Sequence, residues 1–177
     1  MERKYAEFAA TKACELLAID SPSGYTQKAA TWVKEAFEAL GFAAKITTKG
    51  GVLADLGGAD KDDALFLQAH TDTLGAMVAE IKANGRLKLT PLGGLRAENA
   101  ETENVRVHTR TGKIIEGTVQ LCNASVHVNG EYGEAKRTFD TVEAVLDEDV
   151  KTAEATRALG IEVGDIVCLE PRTRITS

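Results

Sequence analysis

The sequence contains few of the residues that mark a disulfide framework or a metal cluster. It has three cysteines and three histidines in 177 residues, and Cys14, Cys122 and Cys168 lie far apart, outside any Cys-x-x-Cys spacing. This pattern indicates buried thiols in a reducing compartment rather than disulfides or a zinc knuckle. No run approaches the roughly 20 apolar residues of a membrane span, and residues 1–10 lack the apolar segment of a signal peptide. We therefore expect a cytoplasmic protein with no membrane partner.

Basic residues are also in short supply. The chain has 21 Lys and Arg against 27 Asp and Glu, for a net charge of −6. A nucleic-acid partner is not expected, because such proteins carry an excess of positive charge for the phosphates. Hydrophobic residues make up 44% of the chain, which is enough to form a core in one domain or in two small ones.

The first part of the chain shows the pattern of an α/β fold. Apolar residues at helical spacing predict one helix over residues 5–17 and a second that ends at Gly41. A hairpin is indicated around residues 49–51. Residues 64–69 are nearly all apolar, which is typical of a strand buried on both faces. Helices, a hairpin and a buried strand together predict α/β layers.

Beyond Leu74 the pattern changes to short strands separated by turns. Asn84-Gly85, Thr111-Gly112 and Asn129-Gly130 are turn signals, and Asn-Gly between strands is a strong hairpin signal. We expect a small barrel or sandwich, with a mobile loop at residues 131–139. The predicted strands are residues 76–81, 87–89, 104–108, 114–119, 125–128, 142–146 and 166–169.

His70 and Asp72 are the most informative pair of polar residues. They follow directly on the predicted buried strand, at the edge where α/β sheets present ligands. Residues two apart in an extended segment point the same way, and a metal-bound histidine commonly donates its other N–H to a carboxylate. The pair therefore fits a metal site. Alternatively, the spacing arises by chance and Asp72 caps a turn.

Other candidates have less support. His108 and His127 fall in the all-β part, where a strand histidine more often serves packing or faces solvent. Ser23 has no neighbouring histidine and no Gly-x-Ser-x-Gly elbow, so a serine nucleophile is not supported.

Several motifs follow one another in order: Ser21-Pro22-Ser23-Gly24-Tyr25, Gly50-Gly51, residues 68–78 around His70-Thr71-Asp72, Asn84-Gly85-Arg86-Leu87, Pro91-Leu92-Gly93-Gly94, residues 113–119 and residues 159–165. Their order and spacing resemble the start of the glutamyl-aminopeptidase-like dinuclear metallo-aminopeptidases, which include the tetrahedral aminopeptidases and proteins labelled endoglucanases. The resemblance runs over residues 16–175. Gly50-Gly51 and Thr73 depart from it, since the family usually has Gly-Asn and an acid at these points.

The resemblance implies an α/β fold in which part of an α/β/α metallopeptidase catalytic domain is interrupted by a small inserted β-barrel-like domain. It divides the chain into an N-terminal catalytic part at 1–74, an inserted dimerisation domain at 75–165 and a truncated return to the catalytic domain at 166–177. The inserted domain implies a homo-oligomer.

The resemblance also implies the chemistry. Two divalent ions, zinc or cobalt, would activate a water that hydrolyses the N-terminal bond of peptide substrates. His70 would be a metal ligand, and Asp72 would support it. The family's other ligands and its general base match no residue up to Ser177, so we expect an incomplete, inactive N-terminal fragment. Two alternatives are a non-catalytic binding or assembly module and a glycoside hydrolase, for which no credible carboxylate pair is found.

Overall fold

The computed structural model describes residues 2–60 and 62–176 and separates into two compact units. Unit 1 comprises Met1–Thr73 and Pro171–Ser177, and unit 2 comprises Leu74–Glu170. The domain boundaries 1–74, 75–165 and 166–177 stay a prediction, and Met1, Lys61 and Ser177 of those ranges lie outside the described residues. In the described part of the chain, no helix has both the length and the apolar character needed to cross a bilayer.

Unit 1 contains two helices and one hairpin. They are α1 (Arg3–Leu17), α2 (Gln27–Ala39), β1 (Ala44–Ile46) and β2 (Val52–Ala54), with β1 and β2 antiparallel. The predicted glycine stop is confirmed: Gly41 has φ +89° and its N–H bonds to Glu38 O at 2.9 Å. The N–H of Phe42 reaches Phe37 O at 3.1 Å, which completes a Schellman motif. The predicted hairpin is also confirmed, with Gly50 at φ +84° in its turn.

The predicted buried strand at residues 64–69 is wrong. The segment forms no strand, and Leu65, Phe66 and Leu67 are 85%, 71% and 74% exposed. A strand buried on both faces needs neighbouring strands and a layer on each side. None of the strands in the described residues pairs with this segment, so its apolar side chains face solvent.

Unit 2 is a closed barrel of six antiparallel strands. The elements are β3 (Gly75–Ile81), β4 (Leu87–Leu92), α3 (Ala97–Ala100), β5 (Asn104–His108), β6 (Ile114–Leu121), β7 (Val142–Leu146), α4 (Ala153–Ala158) and β8 (Ile166–Leu169). Around the barrel the strands run β3-β4-β7-β6-β5-β8, and β8 closes onto β3. The sequence predicted a small barrel or a sandwich, and the structure is a barrel.

The turn signals of the barrel are largely confirmed. Gly85 and Gly112 have φ +82° and +84° in the β3–β4 and β5–β6 turns. The expected strand at 125–128 is wrong, because residues 126–128 form a turn and Ser125 lies in no strand. Asn129 explains the difference: its N–H bonds to Ser125 O at 2.9 Å and its Nδ2 to Asn123 O at 2.8 Å. Such local bonds compete with a strand ladder.

The loop at residues 131–139 is held to the barrel by Arg137 and by two aromatic side chains. Arg137 Nη1 donates to the carbonyl oxygens of Tyr132 and Ala135 at 3.0 and 2.6 Å. Arg137 Nε donates to Glu101 Oε2 at 2.8 Å. Tyr132 and Phe139 pack against the barrel core.

The main hydrophobic core lies inside the barrel. Its buried members all fall between Ala76 and Val167. In the described part of unit 1, by contrast, four residues are buried: Ser21, Pro22, Ala29 and Ala30. Since buried apolar area is the main source of folding free energy, the barrel is the better stabilised unit.

Candidate metal site

A tight turn in unit 1 presents one serine hydroxyl. The N–H of Tyr25 donates to Pro22 O at 2.7 Å, which closes a turn over residues 22–25. Gly24 has φ +87°, the left-handed conformation that a type II turn requires at its third position. Ser23 is the second residue of this turn.

The segment of residues 71–73 is held beside this turn. Thr73 N–H donates to Ser21 O at 2.8 Å, and Ser21 Oγ donates to Thr71 O at 3.0 Å. Pro22 and Thr73 form a parallel bridge. Ser21 and Pro22 are buried, so two segments about 50 residues apart in the sequence are fixed at the position where the site forms.

Three side chains then meet in a row, which we call the Ser–Asp–His chain (Ser23, Asp72 and His70). Ser23 Oγ donates to Asp72 Oδ2. The other carboxylate oxygen, Oδ1, lies 2.9 Å from His70 Nδ1, and the backbone oxygen of Asp72 lies 3.1 Å from the same nitrogen. Asp72 is therefore in the middle and contacts the other two residues through different oxygens.

The hydrogen bonds keep Asp72 ionised. The bond from Ser23, followed by the bond from His70, lowers the pKa of the Asp72 carboxyl below its ordinary value. Hydrogen bonds to a carboxylate favour its charged form. The Asp72 side chain is 39% exposed and that of His70 is 86% exposed, so the imidazole is open to a ligand.

The geometry assigns the proton on the imidazole ring. Both groups near His70 Nδ1 are oxygens of Asp72, and carboxylate and carbonyl oxygens only accept hydrogen bonds. Nδ1 of a neutral His70 therefore carries the hydrogen, and Nε2 keeps its lone pair. A neutral imidazole nitrogen is a suitable ligand for zinc or cobalt, so His70 fits one position of a metal site.

The same geometry argues against a serine nucleophile. In a hydrolytic triad the histidine stands between serine and carboxylate and takes the hydroxyl proton. Here Asp72 stands between Ser23 and His70, and the hydroxyl donates to the carboxylate. This arrangement of the three side chains agrees with the sequence, in which no Gly-x-Ser-x-Gly nucleophile elbow surrounds Ser23.

Of the residues singled out in the sequence, the structure brings His70 and Asp72 together, and their catalytic roles stay predictions. His108 ends β5 and is buried, whereas His127 is exposed in the β6–β7 loop. Ser23 is the contact that sequence reasoning missed. Its turn was recognisable from Pro22 and Gly24, but the pairing of that turn with Asp72 depends on tertiary structure.

Comparison with known sequences shows which protein family the chain is similar to. The model of the M42 glutamyl aminopeptidase family matches residues 50–177. A Bacillus subtilis (strain 168) protein named as a candidate aminopeptidase, YhfE, is 41% identical over 163 residues. That match covers 92% of this chain and 47% of YhfE, so the chain spans about half the length of this curated relative.

Solved structures show the same fold. An aminopeptidase from the archaeon Desulfurococcus kamchatkensis superposes with a TM-score of 0.78 at 23% identity, covering 94% of this chain and 44% of that one. The TET1 peptidase of Pyrococcus horikoshii, described as assembling into a tetrahedron or a large octahedral shell, gives 0.72 at 18% identity, covering 92% and 46%. With the family model matching most of its length and a 41% identical relative along nearly all of it, this chain belongs to the M42 glutamyl aminopeptidase family.

Proposed function

We propose that this chain supplies the N-terminal half of a metal-dependent aminopeptidase that releases N-terminal residues from peptides. The observation that carries the proposal is the hydrogen bond between His70 Nδ1 and Asp72 Oδ1, in a chain that belongs to a family of aminopeptidases. It leaves Nε2 of an exposed imidazole free for a metal ion. The comparisons favour this enzyme over a non-catalytic assembly module.

His70 and Asp72 have separate tasks in this proposal. His70 would bind one of two divalent ions, zinc or cobalt, through Nε2. When bound, such ions activate water and polarise a carbonyl as Lewis acids. Asp72 would hold the Nδ1 proton, orient the ring and raise its basicity, as carboxylates beside metal-bound histidines do.

We further propose that the 177-residue chain is inactive alone. Each metal ion of a hydrolytic site needs about three protein or bridging ligands, and His70 is the one ligand that the family resemblance assigns within these residues. Unit 1 would then be part of the catalytic domain and unit 2 its inserted domain.

Unit 2 would also join copies of the protein. A relative of the same fold, the Pyrococcus TET1 peptidase, is described as forming large shells, which supports a homo-oligomer here. Cys14, Cys122 and Cys168 form no disulfide, which supports a cytoplasmic location. Cys168 is buried as expected, whereas the expectation of a buried thiol is wrong for Cys122, which is exposed.

The activity is tested on the protein encoded by the whole reading frame. With zinc or cobalt added, it should release amino acids from unblocked short peptides and leave N-acetylated peptides intact. His70→Ala should lower kcat/KM at least about a hundredfold, because a metal ligand is lost. His127→Ala removes an exposed histidine of unit 2 and should leave the rate unchanged.

Three outcomes would contradict the proposal. Full activity of His70→Ala would exclude His70 as a ligand. Activity that resists chelators, or that treats blocked and unblocked peptides alike, would exclude a metallo-aminopeptidase.

A further inference from the structure

The Ser–Asp–His chain contains one residue that the proposed function leaves without a role. Ser23 comes from a separate segment of unit 1, about 50 residues before Asp72, and its hydroxyl donates to Asp72 Oδ2. Neither backbone bond that fixes this part of the chain, Tyr25 N to Pro22 O or Thr73 N to Ser21 O, involves the Ser23 side chain. The Ser23 hydroxyl is therefore dispensable for the turn and for the pairing of the two segments.

The hydroxyl does fix the rotation of the carboxylate. A carboxylate beside an exposed imidazole can rotate about its terminal torsion, which has a broad energy profile. With Oδ2 bound to Ser23, Oδ1 is held 2.9 Å from His70 Nδ1. Without Ser23, either oxygen can turn to solvent, because the Asp72 side chain is 39% exposed.

The position of Oδ1 in turn favours one tautomer of His70, because an ionised carboxylate accepts the Nδ1 hydrogen more strongly than the backbone oxygen of Asp72, which lies 3.1 Å from the same nitrogen. An exposed imidazole in water prefers its proton on Nε2, which would block that nitrogen as a ligand. An acceptor fixed beside Nδ1 draws the proton to Nδ1 instead. The His70 side chain is 86% exposed and its described hydrogen bonds both go to Asp72, so the tautomer depends on Asp72.

We propose that Ser23 is a positioning residue, which locks the Asp72 carboxylate so that His70 stays in the Nδ1–H tautomer with Nε2 open to a divalent cation. This inference rests on the proposed function only for the identity of the cation. The tautomer itself is a property of the 177-residue chain.

The tautomer can be read directly. In the ¹⁵N-labelled chain, at a pH where His70 is neutral, the two ring nitrogens have different ¹⁵N shifts that report the proton position. The wild type should show mainly Nδ1–H. Ser23→Ala should shift His70 toward Nε2–H, Asp72→Ala should do so at least as strongly, and Ser23→Thr should restore the wild-type spectrum because it keeps the hydroxyl.

Thr26→Ala is the matched control. It removes a hydroxyl three residues away that makes no cap hydrogen bond to helix α2, so the His70 tautomer should stay as in the wild type. If Ser23→Ala loses the turn, as judged by the amide signals of residues 23–25, Ser23→Cys is used as a near-isosteric, weaker donor, with an intermediate shift expected. An unchanged tautomer in Ser23→Ala, or an equal change in Thr26→Ala, overturns the proposal.

Zinc alone provides the second readout. In the protein encoded by the whole reading frame, titrated zinc should perturb Nε2 of His70, with an apparent Kd weakened about tenfold in Ser23→Ala, the low end for loss of a group that orients a ligand. No perturbation of wild-type Nε2 in that protein would exclude His70 as a zinc ligand, and hence the proposed function. The tautomer comparison would still decide the role of Ser23.

Discussion

Glu143 on β7 places a carboxylate inside the barrel wall, where its side chain is 2% exposed. Lys82 Nζ donates to Oε2 at 2.7 Å and Arg86 Nη1 to Oε1 at 2.6 Å. Burial raises the pKa of the Glu143 carboxyl, but these two hydrogen bonds and the positive charges of Lys82 and Arg86 together outweigh it and hold the pKa below its ordinary value. A buried carboxylate is tolerated only when paired in this way.

Replacing this carboxylate should destabilise the barrel. Glu143→Gln should lower the free energy of unfolding at pH 7 by about 2–3 kcal/mol, less than the roughly 3–5 kcal/mol of a fully buried pair, because Lys82 and Arg86 reach solvent. A group with a lowered pKa stabilises the fold above its unfolded-state pKa and stops doing so as the pH falls through its folded-state pKa. The difference between wild type and variant should therefore shrink below about pH 4.

Urea unfolding at pH 7 and at pH 3 measures both effects. Glu134→Gln, at an exposed position of the barrel unit, is the control and should stay within about 0.5 kcal/mol of the wild type. A Glu143→Gln difference that is the same at both pH values would show that the loss comes from packing and not from charge.

At the scale of elements, the segment of residues 65–67 departs most from the expectation that large apolar side chains are buried. Leu65, Phe66 and Leu67 form a continuous exposed apolar run, and contiguous apolar surface of this kind marks a site that meets another surface. Replacing all three by serine should lower the fluorescence of a bound hydrophobic dye, because such dyes bind exposed apolar surface. The unfolding midpoint of the barrel should not change.

The control for this change is a second pair of exposed apolar residues. Val126 and Val128 are 62% and 78% exposed in the β6–β7 loop, and they are separated by His127 rather than contiguous. Their replacement by serine should have a smaller effect on dye binding. An equal effect would mean that the dye reports exposed apolar area in general and not the 65–67 run.

The elements that the sequence predicted well are those with local causes. The glycine stop after α2 and the turns at Gly85 and Gly112 depend on a positive φ that glycine adopts freely, so they could be read from the residues. The strand at 64–69 failed because an apolar run requires partners that neighbouring residues do not supply. Similarly, Ser23 joins Asp72 through a pairing of distant segments that no local pattern encodes.

At the scale of the whole molecule, the two units should differ in stability. The buried apolar cluster lies within the barrel, whereas unit 1 buries four of its described residues. Amide hydrogen exchange should therefore be slowest in the barrel strands β5 and β6, and about a hundredfold or more faster in α1, which has no buried residue. Mass spectrometry of peptides from the labelled 177-residue chain measures both regions at once.

An exposed loop of the barrel unit serves as the internal reference for the hydrogen-exchange experiment. The loop at residues 123–130 belongs to unit 2 but is mostly exposed, so it should exchange as fast as α1. Protection of α1 equal to that of β6 would show that unit 1 folds as tightly as the barrel, contrary to the burial pattern.

The pairing of β3 with β8 also determines when the barrel can close during synthesis of the chain. β3 pairs with β8 through Gly75 and Cys168, about 90 residues apart, so the edge of β3 lacks this partner until β8 has left the ribosome. At about 5–20 residues per second, that delay lasts roughly 5–20 s. An open edge is a site for wrong pairing with other chains, so slow translation or crowded polysomes should favour aggregation of this protein before its barrel can close.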